Sequence, residues 1–330
     1  NLLKKIINFS FDVQGFPKSR NLRQLIFYLK YFILIREWLK ESQNEIPEYL
    51  NEIIFFLGQN YNFIWQNTNQ NLLFNGNHIG SNADFDKYLN FHNYKFKNEN
   101  HQSGGYAILK NKNFILSFDL GSSPQKKFSN DYQSGALSFE VFFNNCKLIS
   151  NCGYFQNYKH QLNSISKSTA THSTLVSDNR SSCKMKKDID GIFKVDEEIK
   201  IIKKSIVSEK KYWNISASHD GYLKKYGVIH EREIEFFIEK NKFIGKDKLI
   251  KNKKFKSSNF EIRFHFEPEV KITKTQDEKS ILIELENSGW KFSCKDHKID
   301  VETGLYFGKK NSFVENQNIF ISGLTQNEDQ

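Results

Sequence analysis

Arginine is scarce in this 330-residue chain. Only six of its 48 basic residues are Arg (Arg20, Arg23, Arg36, Arg180, Arg232 and Arg263), and the lysines that make up the rest are dispersed among many Asn, Ile and Phe. The net charge of +10 would admit an anionic partner. Without an arginine cluster or a basic-aromatic motif, however, nucleic acid is not the expected one. Long apolar runs are missing too. The most apolar segment, LRQLIFYLKYFILIREWLKES, is broken by Lys30, Arg36 and Glu37, so nothing reaches the roughly 18 uninterrupted residues of a membrane span. The four cysteines make no framework. Cys146 and Cys152 fall on one predicted strand, about 20 Å apart and beyond bridging distance, and Cys183 and Cys294 are isolated. There is neither a disulfide pattern nor a CxxC metal signature. The one methionine is Met185 and residue 1 is Asn. The sequence is therefore expected to be a fragment or a processed product, with any signal peptide upstream.

What is present divides into helical and strand-like character. Residues 1–66 carry helical spacing. Leu2, Leu3, Ile6 and Ile7 open it, Gly15-Phe16-Pro17 breaks it, and a long helix follows from a cap at Ser19–Asn21 to about Ser42. Pro47 suits the first turn of a third helix ending near Gly58. Short loops between these helices suit antiparallel hairpins. Residues 67–100 dissolve into Asn, Gln, Gly and His, a connection long enough to be functional or disordered. Beyond it, short alternating segments with turn signals predict an antiparallel β-sandwich, and the lysine run 246–256 reads as a solvated loop.

The chain is organised around residues 131–176. ALSFEVFF, the turn Asn144-Asn145 and CKLISN form a predicted hairpin, followed by Gly153, a polar run and STATHSTL. Four polar residues, Asp131, Gln133, Asn151 and His172, fall where strands begin or end, which is where sites are built.

The ordered string ALSFE, SNCG, STATHSTL, then Ser218-His219-Asp220-Gly221-Tyr222 and Gly227-Val228-Ile229-His230, resembles the heparinase II/III-like family of polysaccharide lyases over nearly the whole chain. The resemblance implies an α+β multidomain fold, with the C-terminal part of an (α/α) toroid followed by a large antiparallel β-sandwich. Residues 1–66 would be the last helical hairpins, 67–100 an Asn-rich connection and 101–330 the sandwich. It also implies a periplasmic or cell-envelope location, an acidic polysaccharide as partner, and β-elimination on a uronic-acid glycan. In that reaction the sugar carboxylate is neutralised, a base removes the C5 proton and an acid protonates the leaving oxygen.

Position by position, the resemblance departs from the family. Where its lyases have His-x-His-x-Asp before the ALSFE strand, this chain has Asp131-Tyr132-Gln133-Ser134-Gly135. The catalytic histidine thus falls on Asp131, and the family's zinc ligands fall on Gln133, Asn151 and His172. Two neutral amides and one imidazole are a poor zinc set, so no tightly held metal or other cofactor is expected. The catalytic tyrosine falls near Gln24, and Tyr28, one turn on, is the nearest substitute. The expected site comprises Asp131, His172 and Tyr28 as catalytic groups, with Arg20, Asn21, Gln133 and Asn151 binding substrate. The same substitutions also support a second reading, a catalytically degenerate carbohydrate-binding or envelope protein of the same fold.

Overall fold

The computed structural model describes residues 2–310 and 312–325. Helix Leu2–Ser10 leads to the break at Gly15-Phe16-Pro17, and helix Leu22–Glu41 then starts on Asn21, whose side chain accepts from the Arg23 N–H. Both features follow from the residue chemistry. The third helix, Glu48–Tyr61, differs from expectation at both ends: Pro47 is its N-cap, and it runs past Gly58 into a π-helical turn, Asn62–Gln66. Burial of Phe63, Ile64 and Trp65 holds that extra turn in the core. The Asn-rich connection is ordered. It carries a helix, Ala83–Phe91, and buries Leu72 through His78.

The five-stranded antiparallel sheet runs in the order Gln102–Ser103, Tyr106–Lys110, Phe114–Asp119, Phe139–Phe143, Cys146–Ile149. It is the middle layer. Tyr106, Ile108, Ile115 and Phe142 pack on the helices, while Ala107, Leu109, Leu116, Phe118 and Val141 face the sandwich core. Period-2 alternation divides one strand between two cores, and for that reason FILSFD is buried at every position. The turn of the last hairpin is Asn144-Asn145, with φ of +48° and +68°, a two-residue left-handed turn that asparagine tolerates well.

Two four-stranded sheets and one three-stranded sheet complete the sandwich core, with Trp213, Ile215, Ile234, Phe236, Ile281, Ile283, Ile299 and Ile319 pointing inward. The fold is thus α+β, with antiparallel sheets dominating and few helices. The described residues contain no closed ring of helical hairpins. The lysine run is corrected: Lys242–Lys251 is an edge strand paired along its length with Val228–Phe237. Lys246 reaches Glu233 and Glu235 on that partner, the charged edge by which sheets avoid pairing with other chains. Strands Ile201–Ser208 and Ile299–Tyr306 are likewise edge strands; the first is largely exposed, and its lysines hide the alternation. The four cysteines are free, and no helix among the described residues is long and apolar enough to cross a membrane.

Candidate active site

Asp131 sits on the loop that enters the Phe139–Phe143 strand, where the sandwich meets the start of the Leu22–Glu41 helix. Its Oδ2 accepts from Asn21 Nδ2 at 2.8 Å, and its Oδ1 accepts from the Tyr154 hydroxyl at 3.0 Å. Asn21 is therefore bifunctional: its oxygen caps the helix and its amide nitrogen holds Asp131. The Tyr154 oxygen in turn accepts from Asn163 Nδ2 at 3.1 Å, an amide anchored on Phe155 O. Asn21, Tyr154 and Asn163 are buried, and Asp131 is the partly open member. Burial first, and the neighbouring Asp131 charge after it, push the Tyr154 phenol well above its ordinary range, so it keeps its proton. Lys167 lies over the Tyr154 ring and donates to Asn130 O and Phe193 O. Burial lowers its pKa to about 8, against the pull of Asp131.

The Asn-rich connection builds the floor. Gly76 N–H donates to Gln133 Oε1 and Gln133 N–H donates to Asn75 Oδ1, both at 3.1 Å. Gly76 has φ +77°, and a Cβ there would fall 2.5 Å from Asn21 Nδ2 and 3.1 Å from Asp131 Cβ. Gly76→Ala is accordingly expected to lower stability by about 1–3 kcal/mol through strain and overpacking and to loosen the Asn21–Asp131 bond. Denaturant unfolding, with the ligand affinity measured in parallel, checks both effects; unchanged stability would contradict this packing.

The other expected site residues are placed as follows. Gln133 Nε2 donates to Gly153 O at 2.9 Å and Ser166 O at 2.6 Å. Asn151 Oδ1 accepts from Ser173 N–H, while its own N–H and side-chain amide donate to Glu140. Both amides thus serve as backbone braces; they bond neither to each other nor to His172. His172 packs over Gly135, is buried, and lies apart from the Asp131 network. Its Nδ1 lies 2.9 Å from Ser168 O, which can only accept, so Nδ1 carries the proton and Nε2 is a buried lone pair without a partner. Burial lowers the His172 pKa to about 4.

Arg20, a substrate-binding candidate in the sequence, holds Asp119 at 2.7 Å and four backbone carbonyls, which leaves its fork engaged within the protein. It walls an open cleft of about 420 Å³ together with Phe16, Lys18, Lys127 and Phe128, a cleft whose lining does not include Asp131. Tyr28 packs edge-on against Phe11 at 4.8 Å and beside Phe32. No hydrogen bond among the described residues links it to Asp131, because its position on the helix turns it into the helical core. The tyrosine that does reach Asp131 is Tyr154. Its place immediately after Gly153, at the end of the predicted hairpin, was the available signal; its partner Asn163 lies in a polar run with none.

A zinc ion does not fit here. The positions offer two neutral amide oxygens, each already accepting a backbone N–H, and one imidazole Nε2, a poor donor set for zinc. Among the described residues no group of three His, Cys, Asp or Glu is placed to hold a metal.

A helical layer packs on one face of a sheet whose other face closes an antiparallel sandwich, and a carboxylate–phenol pair sits where the two meet. Residues 97–330 match the family model described as heparinase II/III-like, C-terminal, and the chain belongs to the heparinase II/III-like family. The fold is similar to that of a mutant of heparan sulfate lyase HepC from Pedobacter heparinus, at 13% identity and TM-score 0.78 over 100% of this chain and 54% of that one. It is also similar to heparinase III, at 15% identity and TM-score 0.76 over 98% of this chain and 54% of that one. At these identities the likeness is one of fold, and the chain spans about half the length of either structure. No curated protein sequence matches it.

Proposed function

We propose that the protein containing this chain is a polysaccharide lyase, acting by β-elimination on a uronic-acid-containing glycan at the periplasm or cell envelope. In this reading residues 1–66 end a helical toroid, 67–100 form the connection and 101–330 form the sandwich. The observation that carries the proposal is the Asp131 carboxylate, bonded by the Tyr154 hydroxyl at 3.0 Å and by Asn21 at 2.8 Å. Family membership supplies the reaction class.

Asp131 is the acceptor suited to take the C5 proton. Tyr154, which keeps its proton, is the donor suited to the leaving oxygen. The buried amides of Asn21 and Asn163 fix both groups, so little reorganisation is needed as charge develops. No tightly held metal takes part in this scheme.

The test is to incubate the full-length protein with a panel of uronate polymers and follow the near-ultraviolet absorbance of unsaturated products. Asp131→Asn and Tyr154→Phe are each expected to lower turnover by roughly 10²–10⁴-fold with glycan binding retained, and a chelator is expected to leave turnover unchanged. If no polymer yields the absorbance yet binding persists, the chain is a non-catalytic carbohydrate-binding protein. The loss of imidazole at Gln133 and carboxylate at Asn151 is the observation that favours that second reading.

A further inference from the structure

Arg23 stands one residue beyond the helix-capping Asn21–Leu22 step, and it lacks what most other arginines of this chain have. Arg20, Arg36, Arg232 and Arg263 each hold a carboxylate, and Arg180 is exposed. Arg23 is half-buried, and its Nη1 is sealed from water with no hydrogen-bond partner. Leaving a guanidinium in that state is unfavourable unless something completes it.

Its neighbours are also cationic or can become so. The Gly80 backbone brings the two side chains together: a Cβ at Gly80 would lie 3.7 Å from Arg23 Nη1 and 3.7 Å from the His78 ring. His78 is buried, and its Nδ1 faces Ile79 O at 2.9 Å. A carbonyl can only accept, so in the neutral ring Nδ1 carries the proton and Nε2 is unprotonated. The loop is stitched to the sandwich by Ile79 N–H donating to Gly308 O at 2.6 Å, two residues before exposed Lys310. Burial first, then the charges of Arg23 and Lys310, hold the His78 imidazole below its ordinary value. Among the described residues no carboxylate pairs with Arg23, His78 or Lys310. The loop residues 75–80 run directly from the Asp131–Asn21 pair to this cluster, so both lie along one seam between the helices and the sandwich.

We propose that Arg23, His78 and Lys310 form an oxyanion site that takes a carboxylate or sulfate group of the glycan, one subsite along from Asp131. The chemistry is that of a planar two-pronged donor completed by an acceptor with two oxygens, with a titratable ring that gains a proton as the anion arrives. The proposal rests on the glycan reading only for the identity of the anion carrier; the anion site stands on its own geometry.

Inorganic sulfate is therefore the first probe, followed by sulfated and unsulfated uronate oligosaccharides on the full chain. Sulfate is expected to raise the pKa of His78, read by NMR of its ring carbon, with chloride at equal ionic strength as the control. Arg23→Gln is expected to weaken sulfate binding about 10- to 100-fold and to abolish the His78 response. The surface variant Lys310→Gln, which leaves the fold intact, is expected to weaken it several-fold. Preference for the sulfated oligosaccharide assigns the site to sulfate, and equal affinity assigns it to the carboxylate. Binding of sulfate that survives Asp131→Asn, with or without lyase turnover, supports the site independently of the activity. Equal sulfate affinity in wild type, Arg23→Gln and Lys310→Gln, or a His78 ring that does not respond, would overturn it.

Discussion

Replacing Asp247 with alanine is expected to destabilise the chain by roughly 3–5 kcal/mol, since it would leave Arg232 charged and uncompensated in the interior. Arg232 and His230 are fully buried. Arg232 Nε and Nη2 hold the two oxygens of Asp247 at 2.8 and 3.0 Å, and His230 Nε2–H donates to the same carboxylate at 2.6 Å. The proton order along this chain follows from its start. Gly221 N–H donates to His219 Nδ1, so His219 Nε2–H donates to His230 Nδ1 at 3.2 Å, and His230 is left with its proton on Nε2 for Asp247. Arg232 Nη1 then donates to Leu137 O and Ser173 O, clamping the two segments that flank the Asp131 and His172 loops. Leu137 has φ +58°, an unfavourable value for leucine, and this clamp helps hold it there. Thermal unfolding is the measurement, with a fall on the order of 10 °C expected. The double variant Asp247→Leu/Arg232→Met is expected to recover most of the loss, because it removes both charges together. A single variant no less stable than wild type would show that the pair contributes nothing.

The second large effect is acid lability. Burial is the leading cause of depression in four histidines: His172 falls to about 4, His265 to about 3, His219 lies well below its ordinary value, and His230 is lowered less. Above about pH 6.5, the unfolded value, both states are neutral and nothing is lost. As pH falls below that, only the unfolded chain takes up protons and stability declines, until the folded groups protonate near pH 4 for His172 and near pH 3 for His265. For His172 alone the loss amounts to about 3 kcal/mol. Asp247, held below the usual carboxylate range chiefly by Arg232 against the effect of its own burial, adds a further loss below about pH 4, where the unfolded carboxylate protonates. Denaturant midpoints from pH 7 to pH 4 should fall steadily, and His172→Gln should flatten the curve. A midpoint independent of pH across that window would contradict neutral burial of these rings.

Much of the scaffold was legible because it depends on local chemistry. The Gly15-Phe16-Pro17 break, a helix cap within Ser19–Asn21, the Asn144-Asn145 turn and the alternation of ALSFEVFF each involve neighbours in sequence. Edge strands such as Lys242–Lys251 were hidden, because one exposed lysine-rich face carries no apolar period. The site was less legible. Asp131 and Asn21 fall at a strand entry and a helix start, positions that local signals mark, whereas the bracing of Gln133 on Gly153 O and Ser166 O has no local signal, and the tyrosine that meets Asp131 comes from 23 positions further along the chain, not from Tyr28 on the helix.

Residue order by itself determined the helical start, the sheet-forming remainder, the organising hairpin and the family, since patterns of period 2 and 3.6 and a string of short motifs are properties of neighbours along the chain. Only the tertiary structure decided which polar groups meet. Sheet register sets Arg232 opposite Asp247 and His219 opposite His230, and the packing of a helix start against a sandwich loop sets Asn21 and Tyr154 on the two oxygens of Asp131. A hydrogen bond needs its atoms about 3 Å apart, and separation in sequence carries no such information until the layers close.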